Sequence, residues 1–493
     1  MKNIKYLILF SVLFLLSACS NFLEEMPDDR TVIDSNEKIG ELLVGAYPEA
    51  SYIPFLEAMS DNAGDKSPLA PIQTLINQQA YKWEIIEENQ QDTPNYYWQA
   101  TYQAIAASNH ALEAIELRGN LEEDLPYKGE ALLARAYSHF MLVSLFSQRY
   151  NPNRSYYDKG IPYIEKPEKV VFGEYKRGTV EEVYQKVQRD LEAGLDLIND
   201  KVYSVPKYHF TRVAAFTFAS RFYLHIGAWN KAVEYSSRVI GSKPAHLLRD
   251  WEQYTSMDYN GIETAYTKYD EPANLLLSEA ISNWGRYAGL NRFGMTVDIR
   301  DEIFPTTNVA GDQMLFKIYG SETSLNIPKY KEYFKFTSIN ASTGIPYIMA
   351  PLFTAEEALF NRAEAYIMLE QYDLAIDDIN AYLSKRIANY TQAGNAVSET
   401  DFQTYYEYYP PSLNPYYEIN LKQTAFIKGI LDLKRKEYVQ EGNRWFDIKR
   451  FNIEISRKDD NGNKIDILKR DDLRRAIQIP QSAQAAGIEA NPR

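Results

Sequence analysis

The side chains that could do chemistry are few in kind and scattered. His110, His139, His209, His225 and His246 are the only histidines, with no metal-ligand spacing among them. Three of these, His110, His139 and His225, fall in helical periodicity, where a hydrogen-bonded structural imidazole is the expected role. No zinc site is assigned, and no cofactor is expected. H-E-x-x-H, G-x-S-x-G, G-x-x-x-x-G-K-[ST] and G-x-G-x-x-G are all missing from the sequence, which removes the support for zinc-protease, serine-hydrolase and nucleotide-binding readings. Asp459-Asp460-Asn461-Gly462-Asn463 starts like a calcium loop, but glycine stands fourth rather than sixth and no glutamate stands twelfth. Asn461-Gly462 is better read as a hairpin turn between Ile453-Glu454-Ile455 and Ile465-Asp466-Ile467. The 67 acidic residues always furnish carboxylate pairs, so a glycoside hydrolase stays open as an alternative until a separation is known.

Rings are more telling than titratable groups. The chain holds 39 Tyr, 22 Phe and 6 Trp, and a sugar packs its C–H face on such planes while polar neighbours take its hydroxyls. Most rings are expected in the core, among them Trp98 and Trp229. The rings on irregular connections are the candidates for a ligand: Trp83, Trp251, Trp284 and Tyr287, and which of them share one concave exposed patch decides the site. Against 53 Lys and Arg, the acids leave a net charge of −14. No basic stripe interrupts it, which excludes nucleic acid as a partner.

The single cysteine rules out an internal disulfide. Lys2 and Lys5 precede an apolar run from Tyr6 to Ala18 that is too short to cross a bilayer but suits a signal-peptide core. It ends in Leu16-Ser17-Ala18-Cys19, the pattern of a bacterial lipoprotein signal, so residues 1–18 are expected to be removed and Cys19 lipidated. At about 0.8 kcal/mol per buried methylene, two or three acyl chains would hold the protein at a membrane. Residues 19–35 are polar and acidic and read as a tether.

Positioning any ligand falls to a helical frame. The 3.6-residue period runs through 36–46, 96–117, 129–148, 180–198, 212–226, 229–240, 354–369, 372–387 and 424–440. A shift of 143 residues lays Ser220, Tyr223, Trp229, Ala232 and Val233 over Ala363, Tyr366, Tyr372, Ala375 and Ile376. A small residue, an aromatic three later and alanine nine further on is tetratricopeptide spacing, with Gly227 and Glu370-Gln371 at the turns. Ala134 and Tyr137 start the same pattern, but Phe146 stands where the close-packing alanine belongs, a degenerate copy. Long aromatic-rich insertions separate these hairpins at 47–95, 241–350 and 389–423, where binding is expected. Near the end, Leu431–Gly442 reads as a helix with a glycine cap. Alternating charges from Glu437 to Asp447 are expected to form ion pairs rather than an acid/base couple.

Taken in order, these blocks resemble the SusD/RagB family of surface lipoproteins, and the match runs nearly end to end. The resembling residues are the Cys19 box, Trp98 to Asn109, Gly129-Glu130-Ala131 through Tyr137, Arg212 through Tyr223, Arg362-Ala363-Glu364-Ala365, and Glu441-Gly442-x-Arg444-Trp445-x-Asp447. Leu433-Lys434 departs from the Glu-Arg pair usual in the family, and the usual Pro-Gly-Tyr ending is missing. The resemblance implies a mainly α fold of tetratricopeptide-like hairpins with long irregular insertions and little β. Its expected division is an N-terminal helical region at 36–240 and a loop-rich C-terminal region at 241–493, packed as one body. It further implies a protein that is no enzyme, lipid-anchored at the outer-membrane surface, which binds a nutrient and delivers it to a SusC-like TonB-dependent transporter. An oligosaccharide is the expected ligand, with peptide as another possibility. From the family's motifs only the Asp61-Asn62 loop carries over, so the expected ligand residues are Asp61, Asn62, Trp83, Trp251, Trp284 and Tyr287.

Overall fold

Five of the longer helices begin where the sequence supplies an oxygen for the first unpaired backbone N–H groups. The side chains of Thr93, Thr179, Thr211, Thr354 and Asn420 each accept the amide three residues on, and Thr179 and Asn420 complete capping boxes with Glu182 and Gln423. In the computed structural model, residues 33–168, 173, 175–338, 340, 342–459 and 461–493 are described. The leader, Cys19, the tether up to residue 32 and Asp460 lie outside them. The frame consists of α1 (Asn36–Leu43), α2 (Ile53–Met59), α3 (Pro94–Leu117), α4 (Leu125–Phe146), α5 (Val180–Leu197), α6 (Arg212–His225) and α7 (Trp229–Ile240). It continues with α8 (Ala355–Met368), α9 (Tyr372–Leu383), α10 (Leu421–Tyr438) and α11 (Arg444–Arg450).

The internal repeat is a repeat of structure. Under the shift of 143 residues the bounds of α6 and α7 fall on those of α8 and α9. The left-handed turn residues coincide too, Gly227 at φ 75° with Glu370 at φ 60°. The degenerate copy finds its partner differently: α4 packs on α5, which follows a connection of more than thirty residues. Two glycines let these helices touch. A Cβ on Gly194 would lie 2.7 Å from Leu133 Cγ, and one on Gly129 only 2.8 Å from the backbone nitrogen of Ile198.

The insertion at 241–350 is more ordered than its lack of helical period suggests. It contributes short helices at Trp251–Thr255, Tyr259–Tyr266, Trp284–Tyr287 and Val297–Ile303, and most of an antiparallel sheet. Strand β1 (Asn274–Ile281) and strand β2 (Tyr333–Ser338) flank the central β3 (Thr343–Thr354), with Ile281 and Tyr333 both opposite Tyr347. The Asn461-Gly462 turn joins β4 (Ile455–Lys458) to β5 (Lys464–Leu468), the hairpin expected from sequence.

One large apolar core runs through both halves of the chain, from Ile39 in α1 to Ile488 near the end. Buried charges stitch across it. Arg457 is turned inward and donates to the carbonyls of Ala58, Met59, Ser60, Ala63 and Tyr81. The ammonium of Lys449 donates to Ser144 O and, at 2.7 Å, to Ser147 O. Burial pulls its pKa down to about 7. Among the described residues, no helix is long and apolar enough to cross a membrane.

Candidate ligand groove

The turn after α2 is built around one buried carboxylate. Glu57 accepts the backbone N–H of Gln440 at 2.7 Å, that of Gly442 at 3.1 Å and the Asn62 amide at 3.1 Å. Arg435 of α10 then donates to Asn62 Oδ1 and to the carbonyl of Asp61, each at 2.8 Å. Both ends of the Asn62 amide are therefore occupied, and the residue is fully buried. Asp61 faces the other way. Arg444 grips its two oxygens in a fork at 2.8 Å each. Burial alone would raise its pKa, but Arg444 and Arg435 outweigh that and hold it well below the carboxylate range.

Asp61 thus lies on the wall of a groove of about 700 Å³, the largest cavity described. Gly64-Asp65 forms one side by pairing with Phe293-Gly294, and Arg292 clamps Asp65 bidentately at 2.8 Å. Gly64 sits so close to the opposite side that an added Cβ would lie 2.9 Å from Thr296 Cγ2. Lys66, only 6% exposed, donates to Gly289 O at 2.8 Å. Its burial lowers the ammonium pKa to about 8. The short helix Val297–Ile303, capped by Thr296, brings in Asp298 and Glu302. The β4–β5 hairpin supplies Ser456, Lys458 and Asp459 beside Glu454. Asp459 takes the N–H groups of Asn461 and Asn463 at 3.0 and 2.7 Å, so its oxygens serve the turn.

The groove sorts its carboxylates into two sets. The deeper ones are clamped, Asp61 by Arg444 and Asp65 by Arg292, while the exposed Glu302 is paired with Arg435. At the rim, Asp298, Glu322 and Glu454 are exposed and enter no ion pair among the described residues. Hydroxyls of Ser67, Thr296, Thr323 and Ser456 lie among them. Such a lining offers fixed acceptors and donors for a hydroxylated ligand. Among the described residues, no cluster of His, Cys, Asp and Glu could hold a metal ion.

The expected aromatic patch is not what surrounds this groove. Trp83, 4% exposed, donates its indole N–H to Met59 O at 2.9 Å and lies under Arg457. Trp284, also 4% exposed, donates to Gln440 O at 3.0 Å. Trp251 is 0% exposed in a separate apolar cluster with Tyr254 and Phe316. Tyr287 is half-buried beside Arg286 and lines none of the cavities described. Loop position misled here because Trp83 packs into the main core and Trp251 and Trp284 into smaller cores beneath their own insertion, and a large ring lowers the free energy most when it is buried. Asn62 is likewise structural. Of the six expected residues, only Asp61 lines the groove. Open rings stand elsewhere: Phe334 and Phe336 on β2, Tyr156-Tyr157, and Tyr408. Sequence reasoning missed Lys66, Asp298, Glu302 and Arg435, although the polar run Gly64-Asp65-Lys66-Ser67 directly after Asp61-Asn62 was a usable signal.

Family models match two stretches. Residues 21–224 match SusD-like_3, described as starch-binding associating with outer membrane, and residues 331–486 match the SusD family. Among curated proteins, none matches the chain. Solved structures share the fold at low identity. A SusD superfamily protein from Bacteroides thetaiotaomicron VPI-5482 is 20% identical at a TM-score of 0.65, over 93% of this chain and 100% of that one. A putative sugar binding protein from Bacteroides vulgatus ATCC 8482 is 18% identical at 0.66, covering 94% and 99%. A SusD superfamily protein from the same organism is 17% identical at 0.67, with the same coverage.

Proposed function

The chain belongs to the SusD family, and on that premise we propose that it is a cell-surface lipoprotein that takes an oligosaccharide into the groove and passes it unaltered to a TonB-dependent outer-membrane transporter. The observation that carries this reading is the division of the groove's carboxylates. Those at depth are each neutralised by a guanidinium held in place, so they act as preorganised acceptors, and a sugar that displaces water from them meets no reorganisation. A hydrolase needs a carboxyl that stays protonated near neutrality. Asp61 is held in the opposite state. Glu57 and Asp92, whose burial raises them to about 7 and about 6, do not line the groove.

Anchoring through Cys19 places this groove at the outer face of the membrane, within reach of a transporter. A structural neighbour described as a putative sugar binding protein supports the ligand class.

Titration with a panel of neutral oligosaccharides tests the reading. At least one member is expected to bind, and Asp298→Ala with Glu454→Ala is expected to weaken it about tenfold, near 1.4 kcal/mol, without altering the unfolding midpoint. Both positions are exposed and carry no packing. Reducing ends that accumulate with time would turn the reading to a hydrolase, and binding of peptide digests alone would move it to another nutrient. Cys19→Ala is expected to shift the protein from the membrane to the soluble fraction.

A further inference from the structure

A second cavity, of about 490 Å³, shares no lining residue with the groove. It runs along the flank of α3, closed by the connection at Pro162 and Ile164 and by the C-terminal stretch at Ala486 and Ile488. Its chemistry differs from that of the groove. One wall is aromatic: the rings of Trp98 and Tyr102 stand 4.9 Å apart at 54°. The Tyr102 hydroxyl donates to Pro162 O at 2.8 Å, which fixes the ring. Gln99 and Gln103, one helical turn apart on α3, are exposed at the mouth, and their amides enter no hydrogen bond among the described residues.

Trp98 is the telling residue. It is only 5% exposed, yet its indole N–H has no acceptor among the described residues. Trp83 and Trp284 both spend theirs on a backbone carbonyl. Trp251 and Trp445 seal theirs unpaired in the interior, and Trp98 does not belong with them. A donor that is neither satisfied nor sealed, on a residue lining a cavity, is open to whatever enters that cavity. The lining includes one cation and one anion, Lys166 and Glu168.

From these observations we propose that the cavity is a second carbohydrate site that takes a short neutral saccharide. The C–H face of a pyranose lies against Tyr102, a ring or hydroxyl oxygen accepts from the indole N–H at the edge of Trp98, and the Gln99 and Gln103 amides bind the outward hydroxyls. The volume is in the range that encloses a small ligand. The site stands independently of the groove. Two sites on one molecule would hold a long glycan at two points, and an intramolecular second contact raises avidity without new chemistry.

The test is to label the protein with 15N at tryptophan indoles, assign Trp98 with Trp98→Phe, and titrate with maltotriose, cellotriose, xylotriose and mannotriose. No tryptophan lines the groove, so movement of the Trp98 resonance reports this cavity alone, and a failure here leaves the groove reading untouched. At least one trisaccharide is expected to shift that resonance saturably, with Gln99→Ala/Gln103→Ala weakening the titration about tenfold. Both glutamines are exposed, so the variant folds. A Trp98 signal unmoved by all four sugars overturns the proposal, as does one that moves with decanoate alone or titrates identically in the glutamine variant.

Discussion

Asp61 shows how a residue found by family likeness can be both ligand-facing and structural. Its fork with Arg444, itself almost wholly buried, satisfies a guanidinium that would otherwise lie in the core unpaired. Asp61→Asn is therefore expected to cost about 3 kcal/mol at pH 7, mostly through the orphaned cation. The pH dependence follows from the depressed folded pKa. The stabilisation is fully present above the unfolded value near 4 and is lost as the pH falls toward the lower folded value. Urea unfolding should thus show the deficit of Asp61→Asn shrinking below about pH 4, and a deficit independent of pH would contradict the pairing. His139 obeys the same sign. Burial depresses it to about 3, and its two ring nitrogens meet Arg135 O and the Ile164 N–H at 2.9 and 3.0 Å, the structural role its helical position implied. At this scale the sequence was readable where a residue's partner is local or repeated. It was opaque for Trp83, which enters the main core from an irregular connection, and for Trp251 and Trp284, because a loop's own small core leaves no period in the sequence.

Among the elements, the two tetratricopeptide-like hairpins offer a controlled comparison. Both turn through a left-handed residue at equivalent positions, but one copy uses glycine and the other Glu370. A side chain in that conformation is strained. Glu370→Gly is accordingly expected to stabilise by several tenths of a kcal/mol, and Gly227→Ala to destabilise by about 1 kcal/mol or more, since its new Cβ would also come within 3.0 Å of the Tyr416 hydroxyl. Opposite signs in urea midpoints would confirm that the turns are equivalent, whereas losses at both sites would refute it. These hairpins were legible because period, small residues and turn recur together; the helix ends expected from sequence fall within a few residues of those found. The sheet was not legible. Its central strand β3 contains Pro346 and Pro351, which remove ladder donors and argue against a strand, and β1 is so thoroughly buried that its apolar run shows no alternation.

For the molecule as a whole, the open question is what keeps a chain with such long insertions in one piece. Beyond the shared apolar core, a network with almost no exposure fixes how the insertion sits on the helices. Arg249, at the start of the large insertion, reaches Glu356 of α8 at 2.9 Å, and Arg386 beyond α9 reaches Glu437 of α10 at 2.7 Å and the Arg249 carbonyl at 2.7 Å. Tyr382 adds a hydroxyl to Glu437 at 3.1 Å. Burial by itself would favour the neutral acid at Glu437, but Arg386 and Lys329 outweigh it and keep the carboxylate charged. Such a network is not in itself a large source of stability, since desolvation offsets most of the attraction, but removing one partner strands the other. Arg386→Met is expected to cost about 3–5 kcal/mol at pH 7. Adding Glu437→Leu should recover a good part of that loss, because the pair is then replaced rather than broken. Without Arg386 the Glu437 carboxyl should take up a proton more readily, so the deficit of the single variant should narrow as the pH is lowered toward 5, while that of the double variant should not. Unfolding midpoints for the wild type and both variants at neutral and mildly acid pH would decide it. A double variant no more stable than the single would mean that Arg386 acts chiefly through the Arg249 carbonyl, and that the insertion is held by backbone contact rather than by charge.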